Sequence, residues 1–391
     1  MRSMAKRAYE VCGRILLAAF GLALLVVLLE LLTRVADYAA FGAPLLRNYD
    51  EESLFTSDNL GRRGRPFARY RKWQLNSQGY RGPEIEKDKI HIICIGSSET
   101  FGLYEAPDEE YPRQLERTLN AETGSNNYQV VNVSYPGETL NTTRVRIPEI
   151  VSTLHPQYAV IYPSVAYYVW IPWTVHTAPA AGASKPSPSF EFQWRISERL
   201  HDEARQYLPA ALQNWWREVG NRREARQYGP VTMDRVPKEN VEVLKSDLVR
   251  LIEELRSAGV RPVLVTHANW FGLTATEKDR YIITGSRRFY PMLREEGFTD
   301  MEKQMNAGVR EVASEQHVPL IDAATGMPTG EKYFADYEHF TTLGAHVMAE
   351  ILTAGLVPLL NSGAQAGPRA AAPPPTSSRR EASGSLHTPR T

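Results

Sequence analysis

Three short segments hold the side chains whose types and spacing could do chemistry. The first, Gly96-Ser97-Ser98-Glu99-Thr100-Phe101-Gly102, follows directly on the apolar run His91-Ile92-Ile93-Cys94-Ile95. A hydroxyl at the carboxyl end of a strand, flanked by glycines, is where an exposed nucleophile is placed. Position 100 is threonine, so the segment is not the G-x-S-x-G elbow. Serines and glycines after a strand also simply cap the next helix, and that reading stays open. The second segment is Asn132-Val133-Ser134-Tyr135-Pro136-Gly137-Glu138-Thr139. Its glycine lets a backbone N–H approach a ligand closely, as an oxyanion hole requires, although Pro-Gly alone is only a turn. The third is Asp336-Tyr337-Glu338-His339. An acid and an imidazole at this spacing, just ahead of a helix, can face each other across a turn. The acid then fixes the imidazole tautomer and leaves the other ring nitrogen to act as a base. The adjoining helix N-terminus disfavours the imidazolium while Asp336 favours it, which predicts a base titrating near neutrality.

The remaining histidines show no metal-ligand spacing, and the two cysteines, Cys12 and Cys94, exclude a disulfide scaffold or a zinc site built from several thiolates. No metal and no organic cofactor is expected. With 45 basic against 45 acidic residues the chain lacks the basic surplus of a nucleic-acid binder. Its 391 residues, 42% hydrophobic and 23% charged, have the composition of a folded protein with a sizeable core.

The elements that must position these groups alternate. Strands are expected at Ile90 to Ile95, Gln129 to Val133, Ala159 to Tyr162, Val263 to Thr266 and Pro319 to Ile321, all apolar on both faces, as central strands of a covered sheet are. Val241, Leu244, Leu248, Leu251, Ile252 and Leu255 form one stripe of a helix that Gly259 stops, and a last helix begins after Thr342. Alternation of this kind predicts a three-layer α/β/α domain around a parallel sheet of about five strands, with the ligand site at the carboxyl ends of the strands. The stretch 172–237 breaks the pattern. It is rich in Pro, Ala and Ser from Thr177 to Ser189 and aromatic through Trp194, Trp215 and Trp216, and it reads as an inserted helical lid.

Two end segments stand apart. Ile15 to Leu32 is apolar on every face and spans roughly 27 Å as a helix, close to the hydrocarbon thickness of a bilayer. Arg2, Lys6, Arg7 and Arg14 precede it, which keeps residues 1–14 in the cytoplasm and sends everything beyond a 15–34 anchor across the inner membrane. The nearest small residues that could be cleaved, Ala40-Phe41-Gly42, lie well beyond the apolar run, so an uncleaved single-pass anchor is favoured over a signal peptide. No other segment is expected to span. Residues 35–88, with Arg62, Arg63, Arg65, Arg69, Arg71 and Lys72 among aromatics, read as a solvated lead-in to a domain at 89–360, and 361–391 as a disordered tail.

Taken in this order, the three segments resemble the SGNH (GDSL-type) hydrolase family, over roughly Asn76 to Leu360 without the insertion. Gly96, Ser98 and Thr100 match the family's G-D-S-x-T block, Gly137 its second-block glycine, and Asp336 and His339 its D-x-x-H block. Asn76-Ser77-Gln78-Gly79-Tyr80-Arg81-Gly82 is similar to the lead-in of membrane-anchored bacterial members. The resemblance implies a flavodoxin-like fold, a catalytic triad of Ser98, His339 and Asp336, and an oxyanion hole from the Ser98 and Gly137 amides. It also implies an acyl or acetyl ester of an envelope glycan or lipid as substrate. Two positions depart from the family. Ser97 stands where it has aspartate, and Ala166, in Ser164-Val165-Ala166-Tyr167, where it has the oxyanion asparagine. Loss of one such donor costs about 100- to 1000-fold in turnover, unless Ser164 or an amide of the insertion substitutes. Tyr162, Tyr167, Tyr168, Trp170 and Trp173 either form a platform for a sugar or acyl chain or pack the lid. Acyl transfer to a polysaccharide hydroxyl by the same residues, and a membrane-tethered binding protein that has lost catalysis at Ala166, are the rival functions. The sequence leaves the oligomeric state open.

Overall fold

The computed structural model describes residues 2–170, 194–196, 212, 215, 219, 233–287, 290 and 292–365. Most of the expected lid at 172–237 and the tail beyond 365 lie outside these residues.

The chain opens with helix α1 (Arg2–Phe41), whose apolar stretch Gly13–Phe41 has a mean hydropathy of 2.9 and is long enough to cross a membrane. Leu16, Leu17, Phe20 and Leu22 on it are exposed, as expected of a surface that meets no protein partner. The expectation that no other segment is long and apolar enough needs correcting, because Thr342–Ser362 also qualifies. That helix nevertheless buries Ala345, Met348, Ala349, Leu352 and Leu356 and so is a helix of the core.

The lead-in is not the solvated segment expected. It folds into two antiparallel hairpins, β1 (Phe55–Asp58) with β2 (Gly61–Gly64) and β3 (Arg69–Tyr70) with β4 (Trp73–Gln74). Tyr49, Leu54, Phe55, Tyr70, Trp73, Leu75 and Tyr80 between and around the arginines are buried in the core. Basic and aromatic residues therefore divide the labour here: the rings pack and the guanidinium groups reach carbonyls and carboxylates.

The sheet consists of β5 (Ile90–Ile95), β6 (Tyr128–Asn132), β7 (Tyr158–Ile161), β8 (Arg261–Val265) and β9 (Leu320–Ile321), all parallel, in the order β6-β5-β7-β8-β9. The connecting helices are α2 (Ser98–Phe101), α3 (Tyr111–Glu122), α4 (Leu140–Arg144), α5 (Ile147–Leu154), α6 (Lys238–Ser257), α7 (Arg280–Ser286), α8 (Glu295–Glu315), α9 (Ala323–Gly326) and α10 (Thr342–Gln365). Right-handed crossovers from β5 in opposite directions place helices on opposite faces. Accordingly α3 packs with α10, and α6 packs with α4 and α8. This is the expected three-layer α/β/α fold. The strand order reverses between β5 and β7, and in such sheets the crevice at the carboxyl ends of those two strands receives the ligand.

Candidate active site

The turn Gly96 to Gly102 that carries the candidate nucleophile Ser98 begins where β5 is hydrogen-bonded on both sides, with Cys94 in register with Asn132 and Ile95 with Ile161. Gly96 must be glycine: a Cβ there would lie 1.9 Å from Thr100 Oγ1 and 2.9 Å from the Tyr162 carbonyl. Ser97 precedes α2 and makes no side-chain capping bond. Ser98 is the first residue of this short turn and is buried. The turn ends at Gly102, whose left-handed φ of 87° a side chain would strain, and whose N–H donates to the Ser98 carbonyl at 2.9 Å.

The lead-in clamps this turn. Trp73 Nε1 donates to the Gly102 carbonyl at 3.0 Å, and Arg81 donates to the carbonyls of Phe101 and Gly102. Arg81 is itself paired with Glu110 at 2.9 Å, both side chains being buried.

Asp336 and His339 meet as the sequence spacing predicts. His339 Nδ1 lies 2.9 Å from each Asp336 carboxylate oxygen, and Asp336 Oδ1 also accepts the backbone N–H groups of Glu338 and His339 at 3.0 and 2.9 Å. The acid thus closes its own turn and orients the ring in one motif. Burial pushes the Asp336 carboxyl up, but the His339 charge and these hydrogen bonds outweigh it and hold the group below its usual value. Burial opposes charge on His339 too, yet Asp336, Glu338 and Glu99 raise its pKa to about 10. The expectation of a base titrating near neutrality is corrected here, because it counted one carboxylate where three act.

Ser98 Oγ donates at 3.2 Å to Glu99 Oε2. His339 Nε2 is buried and makes no hydrogen bond among the described residues. The serine–imidazole hydrogen bond of a resting triad is therefore not made in this structure, although His339 lies close enough to Glu99 to stabilise its charge.

No protein-family model and no curated protein matches the chain; solved structures do. A lipase/acylhydrolase from Enterococcus faecalis shares 16% identity over 68% of this chain and 95% of that one, with a TM-score of 0.40. A GDSL-like lipase from Bacteroides thetaiotaomicron shares 13% over 72% and 92% (TM-score 0.37), and a psychrotrophic esterase from Pseudoalteromonas sp. 11% over 69% and 98% (TM-score 0.38). The chain resembles the GDSL-type hydrolases.

Gly137 has the left-handed φ of 82°. It lines a cleft of about 420 Å³ with Arg62, Pro136, Glu138 and Thr142. Arg62, from the lead-in, donates to the Pro136 carbonyl at 3.1 Å and so holds the second-block turn from outside. Ser134 Oγ bridges the two blocks, accepting from the Gly96 N–H at 2.9 Å and donating to the Cys94 carbonyl at 3.0 Å. Ala166 is fully buried in the 3-10 turn Val165–Trp170 and its methyl group offers no donor. Ser164 Oγ, two residues earlier, is buried without a hydrogen-bond partner among the described residues. Of the aromatics, Tyr162 and Tyr168 are packing residues, the first bonded to the Ala268 carbonyl at 3.3 Å and the second to Asp247 at 3.2 Å. Tyr167 is half-buried beside Ser97 and Ser98, while the Trp170 side chain and Trp173 lie outside the description.

Sequence reasoning missed four groups here: Glu99, His267, Glu302 and Glu338. His267 Nδ1 lies 3.0 Å from both Glu302 carboxylate oxygens, and its Nε2 is 3.5 Å from Glu99 Oε1. The two carboxylates outweigh the burial that would discharge the ring and raise its pKa well above the usual value. Burial beside Glu99 raises the Glu338 carboxyl to about 8. A signal was present. Thr266-His267 ends an expected strand on the ligand side of the sheet, and Glu99 and Glu338 sit inside two motifs already singled out. Glu99, His267 and Glu338 together have the donor types to hold a metal ion.

Proposed function

We propose that the chain is a membrane-anchored serine acyl hydrolase that cleaves an acyl or acetyl ester of a cell-envelope glycan or lipid. The observation that carries this reading is the Asp336–His339 contact, with the outer imidazole nitrogen left open in the buried neighbourhood of Ser98. In the first step His339 in its neutral form, which its raised pKa makes the minor form near neutral pH, takes the Ser98 proton on Nε2 while Oγ bonds to the ester carbonyl carbon. The carbonyl electrons move onto oxygen, where the Ser98 and Gly137 amides and the Ser164 hydroxyl receive them. Collapse expels the alcohol, which takes the proton from His339. Water, deprotonated by the same imidazole, then releases the acid and restores Ser98. We assign to Ser164 the role that Ala166 leaves vacant, because its buried hydroxyl adjoins that turn and neighbours Glu99.

The anchor is α1, with residues 1–14 in the cytoplasm and the domain outside it. The basic residues before Ile15 and the exposed apolar surface of α1 support this placement.

The test is labelling of the full-length protein in membranes by a fluorophosphonate, which reacts quickly only with an activated serine. Rapid labelling of wild type, absent in Ser98→Ala, is expected, together with acetyl release from envelope glycans. Labelling that persists in Ser98→Ala would remove Ser98 as the nucleophile, and absence of labelling in folded wild type would remove the hydrolase reading.

A further inference from the structure

At the carboxyl edge of the sheet, between the nucleophile turn and the Asp336–His339 turn, three side chains from three connections converge. They are Glu99 after β5, His267 after β8 and Glu338 ahead of α10, and their ligand atoms all lie within 4.8 Å of one another. All three side chains are buried. Each has one atom committed outward. Glu99 Oε2 accepts from the Ser98 hydroxyl at 3.2 Å, His267 Nδ1 meets the Glu302 carboxylate at 3.0 Å, and Glu338 Oε1 accepts from the Tyr290 hydroxyl at 3.2 Å. The other atom of each, Glu99 Oε1, His267 Nε2 and Glu338 Oε2, makes no hydrogen bond among the described residues. His267 Nε2 and Glu99 Oε1 face each other as an ion pair at 3.5 Å, a separation long for a good hydrogen bond.

Buried polar atoms left in this way are costly, on the order of 1–3 kcal/mol each and more for charged groups. Three of them pointing at one place is the arrangement a cation resolves. The support behind them has the form that metal-binding imidazoles take, in which a carboxylate on the far nitrogen fixes the tautomer and ring orientation. Glu302 is that carboxylate, held by the Tyr337 hydroxyl at 2.5 Å and Asn306 Nδ2 at 3.4 Å. Asn306 further ties the His267 backbone at both its N–H and its carbonyl, so the ring is fixed along its whole length.

We propose that Glu99, His267 and Glu338 bind a divalent transition-metal ion, with Glu302 as the residue that positions His267 on it. Once the ion has displaced the protons of His267 and Glu338, two carboxylates and a neutral imidazole match a dication in charge, and a mixed nitrogen and oxygen donor set suits zinc, manganese or cobalt better than calcium or magnesium. With Ser98 hydrogen-bonded to one ligand, the ion would sit next to the nucleophile turn. The claim concerns binding and stands apart from the hydrolase reading: a chain inert toward every ester would still load the ion.

The experiment uses full-length protein in detergent, stripped with chelator and dialysed, then titrated with Zn²⁺, Mn²⁺ or Co²⁺ alone by calorimetry. Thermal unfolding and the visible spectrum of the Co²⁺ form are recorded alongside. About one equivalent of Zn²⁺ or Co²⁺ per chain, a raised melting temperature and a Co²⁺ ligand-field band are expected. Glu302→Gln, which keeps all three ligands, should weaken binding by about 10- to 100-fold, as loss of a supporting carboxylate does elsewhere. His267→Gln and Glu338→Gln should abolish the Co²⁺ band. Wild type that takes up none of the three ions, or uptake that His267→Gln and Glu338→Gln leave unchanged, would overturn the proposal and leave a proton-sharing cluster in its place. The wild-type titrations decide this even if a variant fails to fold.

Discussion

Replacing Arg81 by methionine tests whether the lead-in is part of the domain and holds its Gly96 to Gly102 turn. Arg81 and Glu110 form an ion pair at 2.9 Å with side chains only 3% and 1% exposed, and the same guanidinium binds the carbonyls of Phe101 and Gly102. Burial raises the Glu110 carboxyl, and Arg81 is the first charge opposing that shift. Removing the arginine therefore strands a buried carboxylate, a change that costs about 3–5 kcal/mol when one partner of a buried pair is lost. At roughly 2–4 °C per kcal/mol for a large domain, the melting temperature should fall by roughly 6–20 °C. Glu110→Gln in the same chain removes the stranded charge, so the double variant should regain at least half of the loss. The assay is urea and thermal unfolding of the full-length protein in detergent for wild type, both single variants and the double. A loss below about 1 kcal/mol for Arg81→Met, which is what a surface pair contributes, would refute the reasoning. So would a double variant no more stable than Arg81→Met.

The other predictions concern chemistry and pH. Ser98→Ala and His339→Ala should each remove most ester hydrolysis and the double variant should lose little more, because parts of one proton-transfer device are not additive; Asp336→Asn should cost up to about 10⁴-fold. Ser164→Ala should lower kcat by about 10²- to 10³-fold with KM little changed if its hydroxyl binds the oxyanion, and an unchanged kcat would remove it from that role. Asp322 accepts from Thr266 at 2.7 Å and Arg310 at 2.9 Å, which hold its carboxyl below the usual value against partial burial. A depressed folded-state pKa means that the charged form stabilises above the ordinary carboxylate range and that this contribution is lost as pH falls through the folded value. Asp322→Asn should accordingly cost about 1 kcal/mol near neutral pH, after discounting for its exposure, with the gap to wild type closing in acid.

What the sequence revealed follows from where apolar side chains are forced to go. Ile90 to Ile95 is the strand expected to the residue, and the other four differ only at their ends, because strands buried on both faces leave continuous apolar runs. Asp336 and His339 were legible because their contact closes within one turn. The lead-in was misread for the opposite reason. Tyr70 and Trp73 sit in strands of two residues among three basic ones, so neither periodicity nor composition separates them from a solvated stretch, and only their packing does, with Trp73 bonded to the Gly102 carbonyl. The His267–Glu302 contact joins positions 35 apart on different elements, and no local spacing encodes it.

The junction between α1 and the domain sets a scale for where this protein can work. Helix α1 ends at Phe41, and Ala43, two residues on, is already buried in the core; Arg34 on the helix donates to the Leu45 carbonyl at 2.7 Å. A leash of dozens of residues would let the domain explore a hemisphere of the surrounding space. This one has no slack, so a bilayer around α1 would confine the head to a thin slab just above the lipid surface. On the proposed reading, the ligand of such a head would have to come to the membrane, or be made there, to be reached.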